Sequence, residues 1–267
     1  FGRRSASASA NQLDDATLRR TVHAAEELAR LAPDDPEWVA PLGPQPYVTV
    51  PAAWSDATAR LSPTERARLT APGISDAKER GCLAASYLED TRNVEAGLSS
   101  TGRFGYHRST RVDYSVTMRT ADEAGSGSAA IDQNDVTRLD TAAAAHVAGE
   151  KAVASRERRP LAPGTYPVIL EPLAAVELLD LLIGALDARA ADEGRSAFSR
   201  PGGGTRIGER FLSESVALRS DPANADVPGS PWASDGRPHG AQVWIERGTL
   251  SALHGSRYWA EQSGAAL

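Results

Sequence analysis

Arg111-Val112-Asp113-Tyr114-Ser115-Val116-Thr117-Met118 alternates polar and apolar side chains, with β-branched, aromatic or sulfur-bearing residues on every second position. That period of two is the pattern of a strand with one face on a core and the other in water. Upstream, Ala84-Ala85-Ser86-Tyr87-Leu88 and Val94-Glu95-Ala96-Gly97-Leu98 read as further strands, and Ser100-Thr101-Gly102 breaks the run as a turn. Residues 83–120 therefore predict an antiparallel meander. Helical patterns on both sides of it make the fold class α+β.

Before the meander, residues 13–31 carry Leu18, Val22, Ala25, Leu28 and Ala29 at the spacing of an amphipathic helix. Pro33, Pro36, Pro41, Pro44 and Pro46 follow, then Tyr47-Val48-Thr49-Val50, a short strand candidate limited by Pro51. Ser62-Pro63-Thr64-Glu65 supplies an N-cap with proline at the first helical position, and a further helical stretch starts at Ser75. After the meander, Gly125-Ser126-Gly127-Ser128 reads as a turn or mobile loop, and residues 135–155 as a long Ala-rich helix. Arg156-Glu157-Arg158-Arg159-Pro160 is the best boundary, giving a 1–158 domain of helices and antiparallel strands and a 159–267 domain. The latter is expected to be mostly antiparallel β with one buried apolar helix, from a strand over 164–170, a helix over 172–191, and strand candidates at 215–218 and 241–245.

The chain has 267 residues and a net charge of −6, so bulk electrostatics disfavour binding to a phosphate backbone. Twenty-seven of its 29 basic residues are Arg and 47 residues are Ala, a composition that reads as codon bias before it reads as an Arg-built site. No apolar run approaches a membrane span, and no apolar segment follows Arg3 and Arg4 to make a secretory signal. The single Cys82 has no partner for an internal disulfide, which suits a reducing cytoplasm, and Phe1 leaves room for an upstream segment.

Four pieces in order carry a resemblance. The run Leu161-Ala162-Pro163-Gly164-Thr165-Tyr166-Pro167-Val168-Ile169-Leu170-Glu171-Pro172 leads into the apolar helix and Glu193-Gly194-Arg195-Ser196. Then come Gly204-Thr205-Arg206-Ile207-Gly208-Glu209, Val216-Ala217-Leu218-Arg219-Ser220-Asp221-Pro222, and Ser234-Asp235-Gly236-Arg237-Pro238 followed by Val243-Trp244-Ile245-Glu246-Arg247-Gly248-Thr249-Leu250. Ala148-Gly149-Glu150-Lys151-Ala152 fits the same pattern upstream. This order resembles the TldD/PmbA family of peptidase-related proteins, also described as modulators of DNA gyrase, and is closest to its non-catalytic TldE/PmbA type. The resemblance implies a two-domain α+β subunit and a heterodimer of one catalytic and one non-catalytic member that cuts unfolded or leader peptides.

Catalytic members carry a HExxxH zinc motif on the helix after the "Leu-Glu-Pro" strand, where two imidazoles and a general-base Glu hold a metal-activated water. The corresponding positions here are Asp180-Leu181-Leu182-Ile183-Gly184-Ala185. Asp180 stands for the first His, Leu181 for the Glu and Ala185 for the second His; Leu and Ala neither ligate a metal nor move a proton. The resemblance thus implies no catalytic residue and no metal in this chain, with zinc in a TldD-like catalytic partner. It also implies a later Cys ligand from a C-terminal stretch beyond Leu267, so the second domain is expected to be incomplete. The expected partners are that subunit and a peptide laid along a strand edge around Val216, Leu218, Val243 and Ile245, without nucleic acid or membrane. Two alternatives stay open: an active metallopeptidase using Asp180, His239 or His254, and a peptide-binding or scaffold homodimer.

Other candidates have plainer readings. His146 and Glu150, at i and i+4, are more often a surface pair than two metal ligands. His107 lacks a nameable partner and reads as a loop histidine, Cys82 as an inert buried thiol, and Pro201-Gly202-Gly203-Gly204 as a flexible loop rather than a phosphate cradle.

Overall fold

The computed structural model describes residues 2–264. The chain begins with α1 (Asp15–Leu31), capped by the Asp14 carboxylate, which accepts the Thr17 backbone N–H at 2.9 Å. Its apolar stripe is largely open, with Leu18, Val22, Leu28 and Leu31 exposed and only Ala29 buried. Residues 47–50 form no strand. Proline at 46 and 51 leaves too few donors for a ladder, and the chain enters a 3₁₀ turn at Pro51–Ala53 instead.

The short α2 (Asp56–Ala59) precedes α3 (Pro63–Glu79), which starts on a complete capping box between Ser62 and Glu65. The two helical stretches read from the sequence are one helix that continues through Pro72. The next residue, Gly73, lies against the sheet, where a Cβ would come within 2.8 Å of the Tyr114 hydroxyl and 2.9 Å of Ser86 Oγ.

β1 (Cys82–Leu98) and β2 (Phe104–Thr120) form one long antiparallel hairpin, paired from Cys82↔Thr120 to Leu98↔Phe104. β3 (Ser126–Gln133) adds to β2 between Val112↔Gln133 and Arg119↔Ser126, so the sheet order is β1-β2-β3. The stretch at 125–128 is therefore largely strand, not loop. Its glycines answer a packing demand, because a Cβ on Gly127 would collide with the Ala148 carbonyl oxygen of the covering helix.

That helix is α4 (Thr141–Ala154), capped by Asp140, and with α3 it covers one face of the sheet. Val112, Tyr114, Val116 and Met118 point into this layer and are at most 1% exposed. Near the hairpin tip the opposite face is buried instead: Gly105 and His107 lie against Tyr47 and Trp232. One unbroken ladder thus serves different packing partners on its two faces, the strand period of two making both sets available.

The remaining elements are α5 (Pro172–Ala185), α6 (Ala188–Asp192), β4 (Leu218–Ser220), β5 (Gln242–Glu246), β6 (Thr249–Leu250) and α7 (Arg257–Ser263). The strands form a small antiparallel sheet in the order β4-β5-β6. A second core gathers Leu186, Ala191, Phe198 and Leu250, with Phe211, Leu218 and Trp244 packed against it. Residues 164–170 form no strand, and the expected buried helix is not buried: α5 has no buried residue. Only its last turn, through Leu182 and Ala185, touches the second core, because the sheet expected to cover the rest is small and lies elsewhere. Among the described residues, no helix is long and apolar enough to cross a membrane.

Candidate functional site

α5 carries the positions that the sequence singles out. It starts with Pro172 at its first turn and holds two acidic residues, Glu177 and Asp180, among twelve apolar or small ones. Leu173, Val176, Leu178, Leu179, Leu181 and Ile183 are all exposed, Leu181 by 74%. The preceding extended segment continues the surface, with Val168 73% and Ile169 98% exposed. Lys151 of α4 pairs with Glu171 just before the helix and anchors this segment to the first core.

Asp180 lies on the exposed surface of α5 and makes no hydrogen bond or ion pair among the described residues. Leu181 and Ala185 offer no donor atoms, so the six-residue set does not fit a zinc ion held by two imidazoles with an adjacent base. His254 sits instead beside Asp187, with Nδ1 4.0 Å from Oδ2 and backbone hydrogen bonds tying the two strands of chain together. His239 Nδ1 lies 3.0 Å from the Ser230 carbonyl oxygen. The described residues contain no cluster of three or more His, Cys, Asp or Glu able to hold a metal ion, so Asp180, His239 and His254 do not converge.

His146 and Glu150 do meet, at 3.2 Å, but as part of a joint between helices. Arg80 Nη2 donates to His146 Nδ1 at 2.8 Å while Arg80 Nε donates to Asp76 at 2.7 Å. A guanidinium on Nδ1 makes that nitrogen the acceptor, leaving Nε2–H to donate to Glu150. Gly149 lets this pair lie flat, since a Cβ there would meet the Asp76 and Arg80 side chains.

His107 is 8% exposed and meets the edge of Trp232 at 6.0 Å between ring centroids. Burial lowers its pKa, and the cross-strand Glu95 carboxylate partly offsets this. Its surroundings join the hairpin tip to the 230–238 loop: Tyr47 donates to the Gly236 carbonyl at 2.6 Å, Arg103 donates to the Tyr47 hydroxyl at 3.3 Å, and Tyr47 and Trp232 rings lie 5.0 Å apart. Cys82 is a buried free thiol that leans on the Arg80 carbonyl at 3.8 Å.

The four strand-edge candidates are scattered over one small sheet. Val243 and Ile245 occupy β5, its central strand, and Ile245 pairs with Leu218 on one side and Leu250 on the other. Val216 precedes β4 and accepts the Gly248 N–H at 2.8 Å. Leu218 alone lies on an outer strand, and only three residues long. The longer free edge, that of β1, was not among the candidates, because alternation marks a strand without telling which side stays unpaired.

The profile of the PmbA/TldA metallopeptidase C-terminal domain matches residues 163–266, the span that begins just before α5 and runs through the small sheet. Residues 163–266 thus resemble the C-terminal domain of that family. Likeness of fold to solved structures extends over nearly all of the chain. A proposed DNA gyrase modulator from Bacteroides thetaiotaomicron superposes with a TM-score of 0.82 over 99% of it at 19% identity. A second proposed gyrase modulator, from Thermotoga maritima, gives 0.81 over 91% at 16% identity. TldE from Thermococcus kodakarensis gives 0.77 over 97% at 16% identity. The chain spans 62%, 57% and 59% of those structures, respectively. No curated protein sequence matches it.

Proposed function

We propose that this TldD/PmbA-type chain is a non-catalytic subunit that pairs with a TldD-like metallopeptidase and helps enclose an unfolded or leader peptide, in the cytoplasm. The observation that carries the reading is α5, where a catalytic helix would present two ligands and a base and this one presents Asp180, Leu181 and Ala185 amid exposed leucines. A helix aimed at a metal and a water is polar on its working face, whereas one that is apolar all round is suited to burial against another protein. Zinc and the general base belong to the partner in this reading. The peptide would be held through its backbone, for which the outer edge of β4 beside Leu218 is the available ladder on the small sheet.

The test is metal content by mass spectrometry, on the chain alone and after co-expression with a neighbouring gene product that carries an intact HExxxH. Zinc and peptidase activity only in a co-purifying complex are the expected result. About one zinc per chain in the protein alone would overturn the reading, as would peptidase activity lost on Asp180→Ala.

A further inference from the structure

β1 has β2 on one side and, among the described residues, no strand on the other, so its outer edge of backbone N–H and C=O groups is open over a strand of 17 residues. Beside this edge lie unpartnered apolar side chains. Val94↔Arg108, Ala96↔Tyr106 and Leu98↔Phe104 are opposed pairs and share one face of the hairpin tip, on which Val94, Leu98, Phe104 and Tyr106 are between 58% and 75% exposed. Farther down the same face α3 covers β1 while α4 covers β2 and β3. Asp76 and Arg80 turn towards α4, and Ile74, two residues from Asp76 and so about 200° around the helix, turns the other way, over the open edge, where it is 53% exposed.

We infer that this edge binds a second copy of the chain, β1 against β1 in antiparallel fashion, with the two-fold axis at Thr91. The sequence of the strand is self-complementary about that residue and no other nearby. With Thr91 opposite Thr91, Asp90 faces Arg92 twice, Leu88 faces Val94 twice and Ala84 faces Leu98 twice, all on the face that α3 covers. No like charges oppose one another. Moving the axis one residue either way puts Asp90 on Asp90, or Arg92 on Arg92 together with Glu89 on Glu95, arrangements that repel.

The pairing also covers what the single chain leaves open. Val94 and Leu98 of each copy come to lie beside Leu88 and Ala84 of the other, under Ile74, and two three-stranded sheets become one of six strands. Next to the axis, the Asp90 carboxylate is 2% exposed and held by Arg66 and Arg92 of its own chain, so the opposed Asp90 and Arg92 of the two copies meet in one charge-balanced cluster. None of these residues lies on α5, so the inference stands or falls apart from the subunit reading.

Sedimentation velocity across a concentration series reads the association directly. Wild-type chain is expected to dimerise, and Arg92→Asp, which sets a carboxylate against Asp90 at both symmetric positions, to weaken the dimer at least 10-fold. Cysteine pairs read the register independently of stability. On a Cys82→Ser background, Thr91→Cys is expected to oxidise to a disulfide-linked dimer, since opposed Cα atoms in a ladder are within disulfide reach, whereas Glu89→Cys and Asn93→Cys cross-link only when mixed. A chain that remains monomeric, leaving the edge to another protein's strand, overturns the inference. So does a dimer indifferent to Arg92→Asp, or one that cross-links out of this register.

Discussion

Three glycines separate packing from conformational freedom. At Gly127 a Cβ meets the backbone of α4, at Gly149 it meets the side chains of Asp76 and Arg80, and at Gly184 on α5 it meets nothing within 4 Å. Backbone cannot move aside without shifting a helix, while side chains can rotate. Gly127→Ala is therefore expected to cost about 1–3 kcal/mol by overpacking, lowering Tm by roughly 2–4 °C for each kcal/mol, and Gly149→Ala to cost less. Gly184→Ala removes only a helix-weakening residue and is expected to add about 0.5–1 kcal/mol. Thermal unfolding of the three variants checks the order. Asp122 supplies a second test, in pH. Hydrogen bonds from the Thr120 hydroxyl, from Arg156 and from the Ala124 N–H hold its pKa down at about 2. A carboxyl whose folded pKa is depressed stabilises the fold above its ordinary value near 3.8 and loses that contribution as pH falls from there towards 2. Asp122→Asn should therefore lower Tm at pH 7, and the difference from wild type should close progressively in that acid window.

The start of α3 shows what a local motif can specify. Ser62 Oγ accepts the Glu65 N–H, Glu65 accepts the Ser62 N–H at 2.8 Å, and Pro63 fills the first helical position. Ser62→Ala is expected to cost about 1 kcal/mol, seen as a lower denaturation midpoint at unchanged slope, with Ser62→Asp recovering most of it. Signals of this kind, together with the alternation from Arg111 to Met118, made the α3 cap, β2 and α4 of the first core legible in the sequence, while residues 84–88 and 94–98 read as two strands where β1 is one. What was not legible depended on partners distant in the chain. Gly127 looks like a turn residue until α4 is seen lying on it. Tyr47 to Val50 has strand-forming side chains, yet the prolines around it leave no ladder, and Tyr47 spends its hydroxyl on Gly236, 189 residues away. Asp180, Leu181 and Ala185 are placed at motif positions by the resemblance alone, and their exposure is not legible in the sequence, because an apolar helix reads the same whether its cover comes from its own sheet or from elsewhere.

The two cores are joined by ion pairs, among them Arg138–Asp226 and Arg189–Glu37, and by a joint at the hairpin tip. A Cβ on Gly105 would lie 2.9 Å from the Trp232 ring, Trp232 stacks obliquely on Tyr47, and Arg103 wraps Gly236, so the hairpin tip and the 230–238 loop are held by aromatic and cationic side chains around a bare backbone. That joint is separate from α5, which leaves the apolar face of α5 free to take part in an assembly without loosening the chain. If α5 is the surface that a TldD-like subunit covers, charge placed on it should abolish pairing and spare folding. Leu178 and Leu181 stand one helical turn apart, 56% and 74% exposed, and neither contributes to the second core. Substitution of exposed side chains away from packing contacts shifts stability by no more than about 0.5 kcal/mol. Leu178→Glu/Leu181→Glu is therefore expected to unfold at nearly the wild-type temperature. Leu181→Glu adds a carboxylate beside Asp180, but with no imidazole on α5 it should confer neither zinc binding nor peptidase activity on the chain alone. Capture of an HExxxH-bearing partner, measured by co-purification, should fall at least 10-fold, because burying two carboxylates without counter-charges is costly. Undiminished capture by the folded double variant would place the partner's surface elsewhere than α5.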